Sequence, residues 1–156
     1  MKRSTFGKNF TVAAAAALAL SLAPSAKADD KGCSNAILRG TFAYTSTGSI
    51  ATPPEIAGPF VEVGTQTFDG SGGTTGSAMS SQNGNISPLT VAGTYTVNPD
   101  CTGTMTLQVT FPGIPAFPVD VYFVVDDAGN EFQAIETDAG LVITRIGRRL
   151  FPGRAI

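Results

Sequence analysis

From Ile37 onward the chain is a succession of short runs in which apolar and polar residues alternate. Met105, Leu107, Val109 and Phe111 are interleaved with Thr104, Thr106, Gln108 and Thr110. Val91, Gly93, Tyr95 and Val97 are interleaved with Thr90, Ala92, Thr94 and Thr96. Leu38, Gly40, Phe42 and Tyr44 share one parity, and so do Val119, Val121, Phe123 and Val125. Successive side chains of a strand point to opposite faces, so this alternation predicts half-buried strands with an apolar inner face and a Thr-rich outer one. Eight segments carry the signal: Ile37–Thr47, Phe60–Phe68, Thr74–Gln82, Leu89–Val97, Thr104–Phe111, Val119–Asp126, Glu131–Asp138 and Leu141–Arg149. No long segment repeats apolar residues at helical spacing.

Turn residues separate most of the segments, as at Asp69-Gly70-Ser71-Gly72-Gly73, Asn83-Gly84-Asn85 and Asp138-Ala139-Gly140. Only the connection around Thr52-Pro53-Pro54-Glu55 is long. Strands joined by tight turns must pair antiparallel, because a parallel pair needs a long crossover. The expected fold class is therefore all-β, an eight-stranded antiparallel up-and-down barrel in which Ile37–Thr47 pairs with Leu141–Arg149. About eight strands is the number at which a meander closes, and closure removes the exposed edges of an open sheet. A sandwich would need Greek-key crossovers. An outer-membrane barrel would need its apolar face outward, so no membrane insertion is expected.

The first residues add a compartment. Lys2, Arg3 and Lys8 precede an apolar stretch, Phe10–Leu22, and then Ala26-Lys27-Ala28. This is the order of a signal peptide, residues 1–28, with cleavage after Ala28. The apolar stretch is well short of the ~20 residues of a membrane span. Residues 29–156 form a single domain, secreted or periplasmic, with six basic against twelve acidic residues. An acidic surface of this kind disfavours nucleic acid, whose binding depends on Lys and Arg. Cys33 and Cys101 are the two cysteines, and in an exported chain an even pair is expected to be a disulfide.

Three motifs carry a resemblance. They are Cys33-Ser34-x-Ala36-x-Leu38-x-Gly40-x-Phe42-x-Tyr44, Val63-Gly64-x-x-Thr67-Phe68-Asp69-Gly70-x-Gly72, and Gly93-Thr94-Tyr95-x-Val97-x-x-Asp100-Cys101-x-Gly103. Together they resemble small exported bacterial proteins of unassigned function, similar in shape to the calycin-like barrels of lipocalins, allene oxide cyclases and dirigent proteins. The resemblance implies a barrel. The catalytic residues of those named families do not map onto this chain, and none is carried over.

The chemistry open to the chain is narrow. It has no histidine, which removes Ser-His and Cys-His nucleophiles and the commonest metal ligand. No metal site and no cofactor is expected. Asp126, Asp127 and Asn130, or Asp69, have oxygen ligands of the type calcium takes, but turns use Asp and Asn for local backbone bonds. Glu62 shares a parity with Phe60, Gly64, Gln66 and Phe68. In one phase Glu62 and Gln66 enter the lumen, where Arg145, Tyr44 or Tyr95 can partner them. In the other, Val61, Val63 and Thr65 point inward and Glu62 is solvated. Arg145, Arg148, Arg149 and Arg154 form either a docking patch or a solvated strand and tail.

The leading expectation is a non-enzymatic exported binding protein holding a small apolar molecule among Phe42, Tyr44, Glu62, Gln66, Tyr95, Phe111, Phe123 and Arg145. The alternatives are a barrel isomerase or cyclase using Glu62 with a tyrosine, and a purely structural surface protein. Association of identical copies stays open.

Overall fold

A computed structural model describes residues 32–151. The signal peptide with its cleavage site, and Arg154, lie outside the described residues. Eight strands follow in chain order: β1 Gly40–Ile50, β2 Gly58–Phe68, β3 Gly73–Gln82, β4 Asn85–Val97, β5 Thr102–Thr110, β6 Phe117–Asp126, β7 Glu131–Glu136 and β8 Leu141–Arg149. Each pairs antiparallel with the next, and β1 pairs with β8, so the sheet is a closed up-and-down barrel. The expected closure is present, with Ser46 opposite Arg145 and Ile50 opposite Leu141.

The alternation decides the inner wall as expected. Phe42, Tyr44, Tyr95, Met105, Leu107, Val121 and Phe123 are buried, while Thr104, Thr106, Thr94 and Thr96 between them are exposed. Thr and Val suit a pleated surface whether or not it is covered, which lets the outer wall stay polar without losing strand character. At one end of the barrel Phe42, Phe68, Tyr95, Phe123 and Phe132 form a chain of tilted and edge-on ring contacts with centroids 5.0–6.5 Å apart. Burying each such ring is worth about 1.5–3 kcal/mol. Gly147 lies beneath the Phe132 ring, where any Cβ would collide with it.

The lead-in departs from expectation. The first strand begins at Gly40, not Ile37, and Asn35–Leu38 forms a 3-10 turn. Gly40 has φ of 130°, a conformation that side-chain-bearing residues rarely adopt, and it ends the strand there. The turn lies across the aromatic end of the barrel. Leu38 is fully buried in the core, reaching it from the turn rather than from a strand. Asn35 Oδ1 accepts from Val97 N at 2.7 Å, and Asn35 O accepts from the Tyr95 hydroxyl at 3.0 Å. The Cys33–Cys101 disulfide bonds this lead-in to the β4–β5 turn, as expected.

At the opposite end, β3 and β4 are joined by Asn83-Gly84, both at positive φ, the conformation of a type I′ hairpin turn. Residues 111–116 connect β5 to β6 at this end.

Candidate functional site

β2 settles its phase by placing Phe60, Glu62, Gln66 and Phe68 inward and leaving Val61 and Val63 exposed. Two phenylalanines outweigh two valines in apolar area, and the polar pair between them finds partners inside. Glu62 lies opposite Ser46 on β1 and Ser80 on β3, both fully or almost fully buried. Gln66 lies opposite Phe42 and Gly76.

These residues meet Arg145 in a polar layer part-way up the barrel. Arg145 Nε donates to Ser46 Oγ at 3.0 Å, and Nη1 donates to Gln66 Oε1 at 3.3 Å. Nη2 lies 3.8 Å from Glu62 Oε1 and 3.6 Å from Glu136 Oε1. The guanidinium stacks on the Tyr44 ring, 4.5 Å from its centroid. The Tyr44 hydroxyl donates to Glu62 Oε1 in a short hydrogen bond. Gln66 Nε2 donates to Thr74 Oγ1 at 3.1 Å. Above the layer, Ile50, Phe60 and Ile143 form a small apolar cluster. Below it lies the aromatic end.

One guanidinium thus faces two carboxylates in a buried layer. Burial, together with the negative charge of Glu62, pushes the Glu136 carboxyl up to about 7, against the opposing pull of Arg145. Burial and the Glu62 charge push the Tyr44 hydroxyl far above its ordinary value, so it stays protonated and serves as a donor. Among the described residues every buried side-chain nitrogen and oxygen has a partner. The layer is therefore satisfied on its own groups.

Ser80 connects the layer to the outside. It lines a recess of about 410 Å³ at the Asn83-Gly84 end, together with Gln82, Ser87, Phe111, Ile114 and Phe117. Ser80 is one cross-strand step from Glu62.

Of the candidate residues, the structure brings Tyr44, Glu62, Gln66 and Arg145 together. Phe42 and Phe123 belong to the aromatic end. Tyr95 is there too, and its hydroxyl is engaged by Asn35 O and Gly70 N, away from the polar layer. Phe111 is not in the lumen. The β5 strand ends at Thr110, and the half-buried Phe111 stacks on Phe117 at the rim, with centroids 6.2 Å apart. Arg145, Arg148 and Arg149 do not form a patch. Arg145 points in, Arg148 points out to Glu131 at 2.8 Å, and Arg149 caps the carbonyls of Ile37 and Gly129 while stacking on Phe42. Asp69 is a turn residue, with Oδ1 accepting from the amides of Ser71, Gly72 and Gly73, which hold its carboxyl below the usual range. Sequence reasoning missed Glu136, Ser46 and Ser80. Glu136 was legible, since it shares parity with Phe132 and Ala134.

No family model, no curated protein and no solved structure matches the chain.

Proposed function

We propose that the chain is an exported, non-enzymatic barrel that binds a small apolar molecule at the end formed by the β3–β4 turn and residues 111–117. The observation that carries this reading is the recess lined by Phe111, Ile114 and Phe117 on one side and by Ser80, Gln82 and Ser87 on the other. An apolar body suits the aromatic rim, and a single polar end suits the serines below it. The Cys33–Cys101 disulfide supports the oxidising compartment that the N-terminal pattern implies. The closed eight-stranded shape supports the calycin-like likeness, which speaks to architecture and leaves activity to the site.

A second reading, proton transfer by Glu62 and Tyr44 in an isomerase or cyclase, draws support from the buried hydrogen bond between them. It needs a substrate to pass Ser80 and reach the polar layer. The binding reading needs no such entry.

Titration of the mature chain with the neutral fluorophore N-phenyl-1-naphthylamine tests the proposal. Saturable binding is expected, weakened several-fold in Phe117→Ala and in Ile114→Asp. Absence of saturable binding, or equal binding by all three proteins, would overturn it.

A further inference from the structure

The charges of the barrel are divided between its two halves. Strands β1–β5 contain one charged residue, Glu62, and it points into the lumen. Strands β6–β8 contain Asp120, Asp126, Glu131, Glu136, Arg145, Arg148 and Arg149. The outer wall of β1–β5 is therefore Thr, Ser, Ala and Gln with a band of apolar side chains and no charge. In that band Val63 lies opposite Met79, and Met79 lies opposite Pro88. On the other flank Val63 lies opposite Thr45, which lies opposite Ile146. Val63 is 63% exposed, Met79 51% and Ile146 49%. Two open hollows meet over Ala43 and Val63. One, of about 1270 Å³, runs toward Pro88 and the overhanging Ile114. The other, of about 440 Å³, runs toward Ile146 and Arg148.

We infer that the uncharged outer wall of β1–β4, centred on Val63 and Met79, is the face on which two copies of this chain associate. Soluble surfaces ordinarily carry roughly a quarter to a third charged residues. Loss of charge beneath an apolar centre with a polar surround is the compositional mark of an interface core. The occupant follows from the charge balance of the whole. Over residues 32–151 there are ten acids and four arginines. Two such copies repel wherever their charged surfaces meet. The β1–β4 wall lets them meet with no like charges opposed, and a twofold contact places each copy's Val63 band against the other's larger hollow, which is lined by uncharged residues. Closure of the barrel leaves no free strand edge, so the contact is face to face. Unrolled, four strands ~4.8 Å apart and about ten residues long, at ~3.3 Å each, cover roughly 600 Å²; the curved wall presents part of that to a second barrel, a contact of the small size of weak, reversible association.

Sedimentation velocity of the mature chain from about 1 to 100 μM tests the inference. A monomer–dimer equilibrium is expected, shifted at least tenfold toward monomer by Val63→Lys and, independently, by Met79→Lys. Val124→Lys, on the outer face of β6 and 41% exposed, is expected to leave it unchanged. Thermal melts and near-ultraviolet circular dichroism of each variant confirm a native fold before its result is read. A chain that stays monomeric over the whole range overturns the inference. So does a dimer that native Val63→Lys and Met79→Lys proteins still form, or one that Val124→Lys disrupts equally.

Discussion

Ser46 and Arg145 face each other where the first strand meets the last, and Arg145 Nε donates to Ser46 Oγ at 3.0 Å. The charged groups of the polar layer are thus gathered at the closing seam and its neighbours, Glu62 on β2 and Glu136 on β7. Arg145 pairs with both Glu62 and Glu136, and its removal strands both. Arg145→Met is expected to cost about 3–5 kcal/mol at pH 8, as for other broken buried ion pairs. The triple variant Arg145→Met, Glu62→Gln, Glu136→Gln should recover most of that loss. Urea melts of the three proteins make the measurement. A triple variant no more stable than the single one would show that the layer is held by something other than charge balance.

Glu136 gives the seam a pH dependence. Its carboxyl is pushed up from 4.5 to about 7. Between those values the folded chain holds a proton that the unfolded chain has released, so stability falls as pH rises through the window. The full effect is of the order of 3 kcal/mol, at about 1.4 kcal/mol per unit. Glu136→Gln keeps the shape and removes the titration. Melting profiles from pH 4 to 8 should show the wild type losing stability relative to Glu136→Gln. Parallel profiles would place the Glu136 titration elsewhere.

The phase of the strands has its own test. Leu107 is fully buried and Thr104, three positions earlier on β5, is exposed. Leu107→Ala should cost about 2–5 kcal/mol. Thr104→Ala should stay within about 0.5 kcal/mol. Equal losses in denaturant would contradict the assigned inner face.

Most of the strands were legible because alternation and turn chemistry agreed along the chain. Leu107, Phe123 and the Asn83-Gly84 turn each say the same thing locally and globally. What failed were the places where an element stops. Phe111 continues the parity of β5, yet Pro112 follows it. Proline has no amide to donate to the ladder, and the sheet ends at Thr110. Leu38 continues the parity of β1, but Gly40 turns the backbone before it. The polar layer was half legible. Glu62, Gln66, Tyr44 and Arg145 stand out by type. Ser46 and Ser80 do not, because serine is as common on an outer wall as on an inner one, and only cross-strand register joins them to Glu62.

The Cys33–Cys101 disulfide closes a separation of 68 residues. Replacing both cysteines by alanine should lower stability by about 4 kcal/mol on the chain-entropy account. A fall in the denaturation midpoint, with a steeper slope as the unlinked unfolded chain expands, is the expected reading. No change in the midpoint would mean that the Asn35 and Arg149 hydrogen bonds hold the lead-in unaided.

Pairing of β1 with β8 also sets an order of events in synthesis. The strand made first waits for the strand made last, and until Leu141–Arg149 emerges the growing sheet has an open edge at Gly40–Ile50. That edge carries no charged residue to discourage a stray neighbour. Distant pairing of this kind slows folding and lengthens the time the edge is bare. Chains truncated before β8 should therefore aggregate rather than persist as shortened barrels, and the last nine-residue strand decides whether the preceding seven stay in solution.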